Sequence, residues 1–214
     1  MFVLTQDQFV FLLTGAGWTL LLSAIGFIMG SILGLPLALM RVSSNRLLAN
    51  AVLAFIHTVQ GIPLPVVMFL AYFGLGFSGF NVPALLAAGL ALSLYASAYL
   101  AEIWRGCIES VPKTQWEAAE CLALTNTQRL LYVILPQSIK IAVPPTVGFL
   151  VQIVKDTSNA VVIGFFDLAY SAKVLNNATF SPFVIYSIAA VIYFLICFPL
   201  TSLAAYTERK MTRT

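Results

Sequence analysis

The sequence predicts an all-α membrane protein: five transmembrane helices with a two-helix loop on one side. Three observations predict it. Charged residues make up 9% of the 214-residue chain and hydrophobic residues 60%, against roughly a quarter charged in soluble domains. Apolar runs long enough to span a bilayer recur, and they are continuous rather than alternating, which argues against a β-barrel. Counted as five spans, these runs place nine of the eleven Lys and Arg residues on one side.

The first span lies within Phe9–Met40, a charge-free run worth about 48 Å of helix. A bilayer core needs only about 20 residues. The stretch before Gly15 therefore reads as an interfacial lead-in, and the span as about 15–40. Gly26, Gly30 and Gly34 recur every fourth residue and offer a small-residue face for close packing on a neighbouring helix. Pro36 bends the end of this helix. The second span covers about 51–73, with Pro63 and Pro65 shaping its outer end. The third covers about 83–104. The fourth covers about 141–166 and is broken near its middle by Lys155 and Asp156. The fifth covers about 183–204. The chain, 1–214, reads as a single transmembrane domain.

Arg41 and Arg46 lie between spans one and two; Arg105, Lys113, Arg129 and Lys140 lie between three and four; Arg209, Lys210 and Arg213 form the tail. The positive-inside rule puts these in the cytoplasm. The N-terminus is then outside, the C-terminus inside, and Lys173 is the one positive residue clearly on the outer face. No Lys or Arg precedes Arg41, so the N-terminus lacks the positive region of a signal peptide. Cys107, Cys121 and Cys197 have no metal-like spacing and read as free thiols. No metal site is expected, His57 reads as structural, and the net charge of +3 implies no nucleic-acid partner.

The loop at about 111–137 interrupts the oily pattern. Thr114 and Glu117 form T-x-x-E, a capping box, and Thr125 and Gln128 repeat the device as T-x-x-Q. The sequence predicts two short helices: Gln115 to about Leu122, then Asn126 to about Leu135, the second ending near Pro136. Such a pair is either a structural loop on the membrane surface or a docking element for a cytoplasmic partner.

Here the residues become recognisable. "QWEAAECLALT" followed by "VILPQSIKIAVPP" resembles the cytoplasmic EAA loop of ABC importer permeases. "AYLAEIWRGCIESVPKTQWEAA", "KDTSNAVVIG", "GIPLPVVMFLAYFGL" and the "YTERK" tail resemble the polar amino acid uptake subfamily, the histidine-, glutamine- and glutamate-type permeases. The resemblance implies a permease subunit in the bacterial cytoplasmic membrane, half of the path of an ATP-driven importer for an amino acid or amino acid derivative. It implies two ATP-binding ATPase subunits, a second permease subunit and an extracytoplasmic solute-binding protein as partners. It places Thr114, Glu117, Ala118, Ala119, Leu122, Ala123 and Thr125 in the ATPase-coupling loop. It also places Gln60, Tyr95, Ser97, Phe149, Gln152, Lys155, Asp156, Thr157 and Ser158 along the substrate path. The chain carries no G-x-x-x-x-G-K-[ST] phosphate loop. ATP and Mg are therefore expected on the ATPase, with no cofactor and no catalytic residue on this chain.

The sequence departs from the family pattern at several points. Ala123 stands where the family carries a glycine in the coupling turn. Gln60, Tyr95, Gly148 and Phe149 replace charged or hydrogen-bonding residues. Intramembrane polar groups mark a path, so their loss suggests a heterodimer with a related permease that supplies the polar contacts, a homodimer being the alternative. Lys155 and Asp156 read either as an ion pair or cap at a helix break, or as a gate. Glu102 and Arg105 read as a local ion pair. Trp18, Trp104 and Tyr99 fit interfacial anchors. Asn177-Ala178-Thr179 matches a glycosylation acceptor, of little weight in a bacterial chain. A stand-alone secondary transporter is the alternative function; it would need an ion relay and usually repeated halves, and neither is seen. An enzyme would need a His pair, a G-x-S-x-G or clustered carboxylates, also not seen.

Overall fold

A computed structural model describes residues 5–77, 79 and 81–211, with side chains as far as Arg209. The Lys210 side chain and Arg213, both in the positive tail, lie outside the described residues. Eight helices are found among them, and no strand. Four are long and apolar enough to cross a membrane: Gln6–Arg41 (α1), Ala84–Glu109 (α4), Asn126–Ile163 (α6) and, within α8 (Pro182–Met211), Pro182–Arg209. The fifth candidate is a bent pair, Arg46–Gly61 (α2) and Leu64–Phe77 (α3), whose axes meet at 96°.

α1 corrects the expected lead-in, because residues 6–14 belong to the same continuous helix. Thr5 caps it by a capping box unnoticed in the sequence: the Gln8 N–H donates to Thr5 Oγ1 (3.4 Å), and the Thr5 N–H donates to Gln8 Oε1 (3.1 Å). The helix runs through Pro36 to Arg41. Gly26, Gly30 and Gly34 do form a packing face. A Cβ at Gly26 would stand 2.6 Å from the Leu92 side chain, one at Gly30 would collide with Ala96, and one at Gly34 would stand 3.0 Å from the Ser97 carbonyl. The facing stretch of α4 is itself rich in small buried residues, Ala88, Ala91, Ala96 and Ala98 among them, so two backbones approach closely.

The second span is where Pro63 and Pro65 act most strongly. α2 starts at the Asn45 cap and buries Ala49, Val52, Ile56 and Val59 along one stripe. At 16 residues it is too short to cross a bilayer alone. Ile62, ahead of Pro63, is extended (φ −103°, ψ 128°) as a residue before proline prefers. Pro65 then sits in the first turn of α3, where its missing N–H costs nothing. The expected span 51–73 is thus two helices at an angle, with a π-turn at Leu70–Gly74 inside α3.

The loop differs from expectation in two places. Lys113–Cys121 forms α5, with Pro112 at the N-cap and no side-chain cap, so Thr114 lies inside the helix and makes no capping box. The second short helix does not stop at Pro136. A π-turn at Arg129–Ile134 shifts the backbone ladder, and Pro136 enters at the start of the next α-helical turn, which continues through Pro144 and Pro145 to Asp156. α6 is therefore one element from the loop into the membrane.

The last surprise is Leu168–Thr179 (α7), a helix in a segment that reads as a loop. Asp167 caps it by accepting from the Tyr170 N–H at 2.7 Å. It buries Leu168, Ala172 and Leu175 against Leu12 and Ala16 of α1 and Ile185, Ala189 and Ile192 of α8. The Asn177-Ala178-Thr179 tripeptide is its last turn. The main core lies elsewhere, where Leu22, Met68, Leu92, Leu100, Phe149 and Ile153 join α1, α3, α4 and α6.

Candidate functional site

Two places bring together the residues singled out in the sequence. The first is the elbow between α5 and α6. α5 stands on an apolar pad in which Trp116 packs with Ile108, Val111 and Ile134. Ala119, 2% exposed, faces inward. Thr114, Glu117, Ala118, Ala123 and Thr125 face outward, as does Leu122, 73% exposed at the C-cap of α5.

The elbow resolves how the chain turns without the family's glycine. It keeps the left-handed turn, with Ala123 at φ 54°. The Ala123 N–H donates to Glu120 O (2.8 Å) and the Leu124 N–H to Ala119 O (3.4 Å), the paired bonds of a Schellman motif. An alanine held there costs about 1–2 kcal/mol. Thr125 then starts α6 with the expected box, accepting from the Gln128 N–H (3.4 Å) while Gln128 Oε1 accepts from the Thr125 N–H (2.9 Å). Arg129 reaches back across the turn. Its Nε donates to Leu124 O (2.8 Å) and its Nη1 lies 3.2 Å from Glu120 Oε2.

The second place is the surface where α4 meets α6. Tyr95 and Tyr99 pack with ring centroids 4.5 Å apart, and Tyr99 stacks on Phe149 at 5.7 Å and 14°. Trp104 Nε1 donates to Thr146 Oγ1 (2.9 Å), tying the same two helices one turn further along. Tyr99 and Trp104, both half-buried, thus take part in this wall. Their spacing, 95-99 and 146-149, is a helical-face signal that the sequence already contained. Trp18 makes an edge contact with Phe165.

Beyond Phe149, Gln152 Nε2 donates to Asp156 Oδ1 (3.0 Å), and Asp156 Oδ2 is buried with no hydrogen-bond partner. Lys155 points to an exposed position and makes no ion pair with Asp156 among the described residues. The helix tightens here instead of opening: Thr157–Ile163 is 3₁₀, closed by Gly164 at φ 73°. Thr157 Oγ1 donates to Val154 O (2.8 Å) and Ser158 Oγ to Lys155 O (2.7 Å), as expected of side chains at a helix break. Ser97, 1% exposed, donates to Leu94 O within its own helix and lies in the α1–α4 seam, apart from the aromatic wall. Gln60 is half-buried in the last turn of α2.

The Glu102–Arg105 pair forms as expected (2.8 Å) and extends to Arg41 of α1 (3.3 Å), which ties the ends of two helices together. His57 is exposed on α2, and no cluster of three metal-ligating acids, histidines or cysteines occurs among the described residues.

Known proteins share this arrangement. The family described as "Binding-protein-dependent transport system inner membrane component" matches residues 26–213. The probable amino-acid ABC transporter permease protein YckA of Bacillus subtilis (strain 168) is 38% identical over 194 residues, 91% of this chain and 86% of that one. The probable glutamine ABC transporter permease protein GlnM of the same organism is 34% identical over 97% of this chain and 96% of its own. A chain from the crystal structure of an amino acid ABC transporter with histidines superposes with a TM-score of 0.89 at 33% identity, covering 98% of this chain and 100% of that one. With its apolar spans, its EAA-type elbow and these likenesses, the chain belongs to the binding-protein-dependent transport system inner membrane components, the permease subunits of ABC transporters.

Proposed function

We propose that this permease carries an amino acid or amino acid derivative inward, forming half of the path and passing the work of a separate ATPase pair to it through α5. The observation that carries the reading is the exposed face of α5. Glu117, Ala118 and Leu122 project from a helix whose other side is fixed to the spans by Trp116 and Ala119. Small residues let a partner's cleft approach, and an exposed leucine gains by being covered. The distribution of positive residues supports placing this face in the cytoplasm, the N-terminus outside and the C-terminus inside. The bacterial cytoplasmic membrane follows from the relatives. ATP and Mg belong to the ATPase subunits, and a solute-binding protein delivers the substrate from outside.

The amino acid class rests on what the relatives carry and on the α4–α6 wall. Tyr95, Tyr99 and Phe149 give that wall an apolar face, and Gln152 and Asp156 give it a polar edge. An ammonium group is the natural complement of the unpartnered Asp156 Oδ2. With little other polarity on this wall, a related second permease supplying further contacts fits better than two identical halves. The test is reconstitution in proteoliposomes with the neighbouring ATPase, binding protein and permease genes. ATP-driven amino acid uptake that needs all four supports the reading. Uptake that persists without the ATPase would point to a secondary transporter, and full activity without the second permease would establish a homodimer.

A further inference from the structure

We propose that Arg129 is a positioning residue of the elbow: its clasp on Glu120 and Leu124 holds Ala123 in the left-handed backbone that the turn requires. The inference rests on the coupling role proposed for α5. Left-handed alanine is disfavoured against glycine by a factor of about ten, so a turn of this shape needs an external hold.

The geometry supplies one. Arg129 meets Glu120, three residues before Ala123, and the carbonyl of Leu124, one residue after it. Those two acceptors converge on a single guanidinium only when the chain reverses between them. If Ala123 returned to right-handed helix, the Leu124 carbonyl would swing along the α5 axis and away from Arg129. The bond to Leu124 is the principal one, since Glu120 is 67% exposed and an exposed pair contributes little. Glu120 aims the fork while the carbonyl fixes it. Arg129 suits the task because its planar donors reach both acceptors at once and its side chain is only 19% exposed.

The clasp also has a direction. Arg129 opens the π-turn of α6, the helix that further along carries Phe149, Gln152 and Asp156. By locking α5 to the first turn of α6, it makes a displacement of α5 a displacement of α6. Without it, α5 can swivel about Leu122–Thr125 and the push is lost in the turn.

The test uses the assembled transporter in proteoliposomes with its binding protein and substrate. Arg129→Ala lowers substrate-stimulated ATP hydrolysis about tenfold while the subunits still co-purify. Hydrogen exchange at the Ala123 and Leu124 amides speeds up by a similar factor. Adding Ala123→Gly to that variant restores both readouts, because glycine needs no clasp. Arg129→Lys, a point charge without the fork, falls between. Full stimulation in Arg129→Ala overturns the proposal, as does a failure of Ala123→Gly to restore it, since a general loss of structure would not be repaired at that one residue. Should Arg129→Ala not assemble, Arg129→Lys carries the test: a partial loss that Ala123→Gly reverses supports the clasp, and no change, or a loss that glycine does not reverse, overturns it. Glu117→Lys in parallel separates the two readings. If Glu117→Lys remains coupled, the docking role itself fails; if it uncouples while Arg129→Ala does not, only the clasp fails.

Discussion

Two breaks in the helical pattern, Leu122–Thr125 and Lys155–Asn159, handle their freed backbone groups in different ways. At the elbow the bonds are mainly backbone to backbone, with one cap and one arginine, and the side chains of Glu117, Ala118 and Leu122 remain uncommitted. At the inner break Thr157, Ser158 and Asn159 each turn back onto a carbonyl at 2.7–3.0 Å. The lesson concerns which residues are available for function. At the elbow the exposed side chains of Glu117, Ala118 and Leu122 stay free of the backbone. At the break Thr157, Ser158 and Asn159 are spent on the backbone, while Gln152, Lys155 and Asp156 keep polar atoms for anything else.

The largest expected effect is on the elbow side. Glu117→Lys reverses a charge on the exposed face of α5 without touching the Trp116 pad, and should reduce ATP-driven uptake at least about tenfold, the scale of a lost charge pair at an interface. Uptake at the wild-type rate would end the docking role. On the other side of the comparison, Asp156→Asn keeps the shape and a bond from Gln152 but removes the charge. Uptake should fall about tenfold with ATPase and subunit assembly preserved. An unchanged rate would show that Asp156 serves the backbone as its neighbours do.

Thr157→Val probes the break directly. Thr157 is fully buried and its hydroxyl is committed to Val154 O. An isosteric valine should lower stability by about 1 kcal/mol, read as a drop in the melting temperature of the detergent-purified complex. A change in uptake without a change in melting temperature would return Thr157 to the substrate path that the sequence suggested.

Much of this contrast was legible in the sequence, and the reasons for the misses are physical. The five apolar stretches, the Gly26–Gly34 face, the Thr125 box and the Glu102–Arg105 pair each follow from spacing alone, because each acts within one or two helical turns. Pro136 misled because proline ends a helix in water, whereas here a π-turn and membrane packing absorb it, as they absorb Pro144 and Pro145. The bend at Pro63 was visible as a disturbance, but its 96° angle depends on what α3 packs against. α7 was missed because its stripe of Leu168, Ala172 and Leu175 is short and its polar residues are many, so the segment reads as an outer loop. The resemblance puts Ser97 along the substrate path, and the structure sets it in the seam between α1 and α4. Its place in the seam is set by Gly34 on another helix, which no local pattern reveals. Tyr99 reads as an interfacial residue for being aromatic, and its partner Phe149, fifty residues away, is not visible in any local pattern.

The smallest effects compare two threonines that look identical in the sequence. Thr125 and Thr114 both begin a T-x-x-E/Q box, but only Thr125 caps a helix; Thr114 lies exposed in the first turn of α5, after Pro112 has taken the cap position. With Pro112 at the N-cap, the N3 residue is Gln115 rather than Glu117, and proline offers no N–H for it to bond, so no capping box forms. Thr125→Ala should therefore weaken the elbow by about 1 kcal/mol, seen as faster hydrogen exchange at Gln128 and Arg129. Thr114→Ala should change local exchange by less than about 0.5 kcal/mol. Equal effects from the two variants would mean that α5 begins at Thr114 after all. Its first turn would then unwind from Lys113, and the face presented by Glu117 and Leu122 would rotate relative to the Trp116 pad.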